Sequence, residues 1–231
     1  MVKDIVKKVF QLSGYNVVRY NKDLDKYRNL HVKFSDYTMV PRDQFVANMD
    51  LSSQFLNIPG SIVECGVWKG GMAGALAELS KNKKRIHLFD SFEGLPPARE
   101  IDGEGALRYQ RETTSSGYFD NCRADESFAI AAMKLANHND YVIYKGWFDN
   151  TLSQYNDGPI SILRLDGDWY DSVKACLDVL YPQVSVGGLV IIDDYYPWDG
   201  CARAIHDYLS QHKLASRIRQ WNGQVAYLLK E

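Results

Sequence analysis

Two acidic clusters close two apolar runs in the last third of the chain. The run Ile160-Ser161-Ile162-Leu163-Arg164-Leu165 stops at Asp166-Gly167-Asp168, and Gly188-Leu189-Val190-Ile191-Ile192 stops at Asp193-Asp194. Short β-branched runs of this kind read as buried strands. If the strands are parallel neighbours, their carboxylates converge at one end of a sheet. Two like charges ~4 Å apart repel by about 4 kcal/mol at an effective dielectric near 20. Such a cluster calls for a cation, and hard oxygen ligands favour Mg²⁺ or Ca²⁺. Side chains alternate along a strand, so Asp193 and Asp194 cannot both point inward from extended chain; they are expected where the chain turns.

A second motif, Glu64-Cys65-Gly66-Val67-Trp68-Lys69-Gly70-Gly71, follows the strand Ser61-Ile62-Val63-Glu64 and opens a helix. Glycines there let backbone approach a ligand, and the helix start offers unpaired N–H groups. The spacing fails the GxGxxG dinucleotide fingerprint. An acid opening the loop would repel a pyrophosphate. It suits a ligand with a cationic amino group, such as the methionine part of S-adenosylmethionine. Asp90 ends the next strand, where a carboxylate accepts hydrogen bonds from ribose hydroxyls.

These motifs need a scaffold, and the chain alternates strands with helices. Strands are expected at 61–64, 85–89, 141–144, 160–165 and 188–192, and helices at 43–55, 70–80, 125–136, 172–180 and 201–212. Residues 217–221 and 224–229 flank Asn222-Gly223, a strong hairpin signal. The alternation argues for a parallel sheet with helices on both faces, and the hairpin adds an antiparallel strand. Seven strands in this layout are those of the class I methyltransferase core. With strand order 3-2-1-4-5, strands one and four meet at the switch point, and Glu64 and Asp166 face one cavity. Residues 20–40 read as an irregular cover. Residues 93–120 have no clear periodicity and read as a lid or substrate loop. An amphipathic basic helix is expected from Val2, Ile5, Val6, Val9 and Phe10, packed on its own domain or a dimer partner, with a membrane-surface role as the alternative. The boundaries are then a helix and cover over 1–40 and a methyltransferase domain over 41–231.

Several single residues can be assigned. Asp168 is expected to cap the helix near Ser172, with a supporting role behind the other acids as the alternative. His87 is expected to be packed, His206 and His212 on the surface, and His138 packed or facing substrate. Trp147 and Phe148 either pack in the core or stack near adenine. Arg164 is unusual in a buried strand and should pair with a carboxylate. Tyr195, Tyr196 and Trp198 could wall a sugar face.

Five runs in order resemble the macrocin O-methyltransferase family: residues 64–71, Asp90-Ser91-Phe92-Glu93-Gly94-Leu95-Pro96, Gly146-Trp147-Phe148, Leu165-Asp166-Gly167-Asp168 and Asp193-Asp194-Tyr195. Thr38-Met39-Val40 also fits, and the resemblance covers roughly residues 38–230. It implies a class I fold and Mg²⁺-dependent transfer of methyl from S-adenosylmethionine to a hydroxyl, with macrolide and related antibiotic sugars as the family's acceptors. It implies Asp166, Asp193 and Asp194 as metal ligands and Asp166 as general base. It implies Glu64, Gly66, Trp68, Gly70, Asp90, Ser91, Phe92, Trp147 and Asp166 as cofactor-binding residues. It also implies a dimer or larger homo-oligomer. A catechol-type O-methyltransferase and a non-catalytic S-adenosylmethionine-binding subunit are the alternatives; a nicotinamide oxidoreductase is disfavoured by the glycine spacing.

Bulk properties agree. The chain has 231 residues, enough for one large or two small domains, and is 45% hydrophobic and 24% charged. A net charge of −2 gives no basic field for nucleic acid. Cys65, Cys122, Cys176 and Cys201 form no CxxC, so zinc or a disulfide framework is not expected. No apolar run is long enough for membrane insertion. These features point to a soluble cytoplasmic protein acting on a small-molecule or glycan acceptor.

Overall fold

The structure is a computed structural model that describes residues 21–231. The basic helix expected near Val2 to Phe10 lies outside those residues.

The expected strands form at Ser61–Cys65 (β1), Ile86–Asp90 (β2), Tyr141–Lys145 (β3), Ile160–Leu165 (β4), Val184–Ile192 (β5), Arg219–Trp221 (β6) and Val225–Leu229 (β7). Among the described residues they make one sheet in the order β3-β2-β1-β4-β5-β7-β6. β1 to β5 run parallel, and β7 returns antiparallel to β5. This is the seven-stranded, mostly parallel sheet with a C-terminal antiparallel hairpin that the pattern predicts.

The central strands are apolar on both faces because helices cover both. Alternate residues enter two separate cores. Ile62, Leu88, Ile162 and Ile191 pack with the helices Asp25–Phe34, Arg42–Ser53, Gly71–Leu79 and Glu126–Leu135. Val63, Phe89, Leu163 and Val190 pack with the helices Tyr170–Leu180 and Asp199–Gln211.

Three elements depart from the sequence expectations. Residues 20–40 are not an irregular cover: Asp25–Phe34 is a helix whose Tyr27 and Phe34 are buried. Two buried residues in a ten-residue helix make too narrow a stripe for periodicity to register. Phe34 packs so closely on Gly74 that a Cβ there would lie 2.6 Å from the ring, and burying such a side chain contributes about 1.5–3 kcal/mol. The segment 93–120 contains the helix Gly103–Arg111, which buries only Ala106 and so carries no apolar period. β5 begins at Val184 rather than Gly188, because a register shift after Ile160 lets the extra residues pair. All four cysteines are free. Among the described residues no helix is long and apolar enough to cross a membrane.

Candidate active site

The carboxyl ends of β1, β2, β4 and β5 open into a cavity of about 530 Å³, within the usual range for small-molecule sites. Its lining includes Glu64, Gly66, Trp68, Asp90, Ser91, Trp147, Asp166, Asp168, Asp193 and Asp194. Gly70 and Phe92 are not on the wall. Gly70, at φ 82°, starts the helix Gly71–Leu79, and Phe92 packs into the core beneath.

The glycine turn after β1 is held by Asp90. Its Oδ2 accepts from the backbone N–H of Val67 at 2.6 Å and of Trp68 at 2.8 Å, and its Oδ1 from that of Phe92 at 2.7 Å. These three bonds shape the loop, and Asp90 also stands on the cavity wall. Burial nonetheless raises its pKa. Gly66 has φ 87°, and a Cβ there would lie 1.7 Å from the carbonyl oxygen of Asp166. No other residue allows the β1 and β4 ends to approach that closely. Ser91 donates to the carbonyl of Gly94 at 3.1 Å and accepts from Glu93 N–H, which fixes the following turn.

At the neighbouring strand ends lies a charge network that follows from register. Glu64 on β1 is paired with Arg164 on β4, and Arg164 with Ile191 on β5. Asp166 and Asp193 lie two residues beyond Arg164 and Ile191, so alternation points them to the same side. Arg164 is fully buried. Its Nη1 donates to Glu64 Oε1 at 2.8 Å and to Asp166 Oδ2 at 2.6 Å. Its Nη2 stands 2.8 Å from Asp193 Oδ1, but both atoms lack a hydrogen-bond partner, so the contact is an ion pair with poor angles. Burial works against the Arg164 charge, yet Asp166, Asp193 and Glu64 together hold its pKa well above the usual value. Arg164 thus finds the carboxylates that its burial demands, and the sequence alone did not say which.

The acids do not gather as expected. β5 ends at Ile192, so Asp193 and Asp194 do begin the turn, and they diverge there. Asp193 faces Arg164, whereas Asp194 joins Asp166 and Asp168 in a group in which one carboxylate oxygen from each lies within 4.8 Å of the others. Of the expected ligands Asp166, Asp193 and Asp194, the structure brings Asp166 and Asp194 together with Asp168 and sets Asp193 against Arg164. Asp168 is not a helix cap: its Oδ1 accepts from Trp198 Nε1 at 2.9 Å, and its backbone N–H donates to Asp194 Oδ2 at 3.1 Å. Burial, then the neighbouring Asp166, lifts the Asp168 pKa well above the carboxylate range. Burial, then Asp168, does the same for Asp194. Asp193 is pushed by burial to about 6 despite Arg164.

The side of the cavity away from the Glu64 loop is closed by residues the sequence did not single out. Asp102, buried in the segment 93–120, accepts from Tyr170 N–H at 2.7 Å and Arg99 N–H at 2.8 Å. Trp169 donates to the carbonyl of Pro96 at 2.9 Å and meets Trp198 edge-on, ring centres 5.2 Å apart. Tyr109 packs on Trp198 in turn. The aromatic wall is therefore Trp198 with Trp169 and Tyr109. Tyr195 instead contacts His206, and Tyr196 contacts Gln220 outside the cavity. His87 is packed as expected; His138 is packed too, between Asn82 and the Asp140 carbonyl. Phe148 lines the wall, and Trp147 does so while 38% exposed. Tyr109 and Asp102, in the segment 93–120, left no signal, because nothing in the local sequence distinguishes them from solvent-facing residues.

Known proteins resemble this chain in sequence and in fold. The sequence model of a family described as macrocin-O-methyltransferase (TylF) matches residues 4–230. An 8-demethyl-8-(2,3-dimethoxy-alpha-L-rhamnosyl)-tetracenomycin-C 4'-O-methyltransferase of Streptomyces olivaceus is 34% identical over 72% of this chain and 64% of its own. A demethyldecarbamoylnovobiocin O-methyltransferase of Streptomyces niveus is 32% identical over 70% of this chain and 63% of its own. The match thus spans a little under two thirds of each relative. The solved O-methyltransferase NovP superposes with a TM-score of 0.70 at 25% identity, over 84% of this chain and 82% of that one. The calicheamicin methyltransferase CalS11 superposes at 0.63 and 21% identity, over 92% and 94%, which supports the class I fold.

Proposed function

The chain belongs to the macrocin O-methyltransferase family, and from that premise we propose that it transfers the methyl group of S-adenosylmethionine to a sugar hydroxyl, with a divalent cation, Mg²⁺ by ligand chemistry, held at the acids. The observation that carries this reading is the group of Asp166, Asp168 and Asp194, half-buried to buried, in the same cavity as Glu64. Glu64 is buried with Oε2 unpartnered, which fits the cationic amino group of a methionine moiety. The turn from Gly66 to Gly70 fits a ligand lying against backbone. Three closely spaced carboxylates fit a hard cation.

When bound, the donor supplies an already activated methyl, and the cation an electrophile that acidifies an oxygen. The residues of this chain do the rest. Asp166 and Asp194, common to the expected and observed acid sets, are the cation-holding residues. Asp168 is the proton acceptor: Trp198 orients it, and burial beside Asp166 raises its affinity for a proton. Asp166, expected as base, has Oδ2 engaged by Arg164. Trp198, Trp169 and Tyr109 offer the apolar wall for an acceptor ring, and Asp102 keeps the lid over it, limiting water.

Relatives are named for a rhamnosyl tetracenomycin and for demethyldecarbamoylnovobiocin, which supports a sugar on a natural product as acceptor, with a cell-surface glycan as the other source of the same chemistry. The test is incubation with labelled S-adenosylmethionine, Mg²⁺ and a panel of glycosides, nucleotide sugars and catechols. The expected outcome is a methyl-sized mass gain on a sugar, lost on adding EDTA and restored by excess Mg²⁺. Full turnover in EDTA would remove the cation from this reading, and preferential methylation of a catechol would remove the sugar.

A further inference from the structure

Arg164 joins the two halves of the cavity. A single nitrogen, Nη1, holds Glu64 from β1 and Asp166 from β4. The register that pairs Glu64 with Arg164 makes the contact a property of the sheet. Glu64 Oε1 is therefore taken, and Oε2 is the buried oxygen left without a partner. We propose that Arg164 is a positioning residue for donor binding: it fixes the Glu64 carboxylate so that Oε2 alone receives the donor's cationic amino group. The inference rests on the donor reading above.

The physical argument is one of charge and rotamer. Glu64 is 1% exposed, and a buried acid without a counter-ion neutralises rather than stay charged. Burial pushes Glu64 up to about 8 and Arg164 works against it; an ammonium group against Oε2 would add a second counter-charge. Without the guanidinium Oε1 loses its anchor, the carboxyl is free to rotate, and with one counter-charge fewer it holds an ammonium group less well. Lysine in place of arginine would lose the fork that reaches Glu64, Asp166 and Asp193 together.

The test uses two ligands that differ in the group concerned. S-adenosylhomocysteine carries the amino acid moiety; 5'-methylthioadenosine has the same nucleoside and thioether without it. Calorimetric titration of the full chain is expected to show tighter binding of S-adenosylhomocysteine by wild type. In Arg164→Met that affinity falls about 30-fold or more, while affinity for methylthioadenosine stays within about threefold. In a Glu64→Gln background the same Arg164→Met change adds no further loss, because its effect passes through Glu64. Equal weakening of both ligands would make Arg164 merely structural and overturn the proposal, as would an additive loss in the Glu64→Gln background. Should Arg164→Met alone fail to melt cooperatively, Arg164→Lys, which keeps a cation beside Asp166 and Asp193 but loses the fork, takes its place in the same comparison. A wild-type chain that binds neither ligand would sink the donor reading itself. One that binds both equally would sink only the role given to Glu64 and Arg164.

Discussion

The two ends of the sheet carry networks built from the same residue types, and they differ in completeness. At the amino end, His87 lies between Tyr144 Oη at 3.1 Å and Asp157 Oδ2 at 2.9 Å; Ser61 donates to the same Asp157 oxygen at 2.9 Å. Arg85 adds ion pairs to Asp157 and Asp140. None of these side-chain atoms is among the buried groups lacking a partner. At the carboxyl end, Glu64 Oε2, Trp68 Nε1, Arg164 Nε and Nη2, and Asp193 Oδ1 all are. Buried polar groups are normally satisfied, so a concentration of orphans marks where something else must bind. The amino end is a fastening between strands. The carboxyl end is stabilised only in part by its own residues and leaves room for cationic partners.

The largest effect that would sharpen this contrast is on turnover. Asp168→Asn is expected to reduce kcat about 10³-fold while leaving the melting temperature unchanged or higher, since a neutral amide of the same shape replaces one of several crowded carboxyl groups. Asp194→Asn is expected to behave likewise in turnover and stability, with weaker divalent cation binding by calorimetry. A clear fall in melting temperature for both would make the upper network another fastening and break the comparison. Asp157→Asn is the converse: it is expected to lower stability by about 1 kcal/mol in a urea titration and leave kcat alone.

The smallest effect is a pH slope at the amino end. Burial holds the His87 pKa below its ordinary 6.5, despite Asp157. The unfolded chain therefore binds this proton more readily than the folded one. The stability from neutral His87 is complete above about pH 6.5 and is lost as pH falls from there through the lower folded pKa. Urea midpoints at pH 7.5 and 5.5 are expected to differ more for wild type than for His87→Gln. An identical drop in both would remove His87 from the fastening.

These two ends were not equally legible. The fold was, because its carriers are local: apolar runs of strand length, helices with three or more buried positions, and Asn222-Gly223 between β6 and β7. The acid clusters and the Glu64 loop were legible as strand-end motifs. Helices with a thin buried stripe, Asp25–Phe34 and Gly103–Arg111, were not, since one or two buried residues create no period. Nor was the amino-end network, where Ser61, His87 and Asp157 are separated by 26 and 70 residues.

What the sequence determined alone was which acids reach the end of the sheet, and that Asp193 and Asp194 would stand at a turn. Only the tertiary structure decided how they divide. Strand register puts Arg164 beside Glu64 and draws Asp193 to it, while the turn sends Asp194 toward Asp168. Coulomb attraction and repulsion between buried groups depend on distances of a few ångströms, and such distances belong to the packed sheet, which brings together residues about a hundred positions apart.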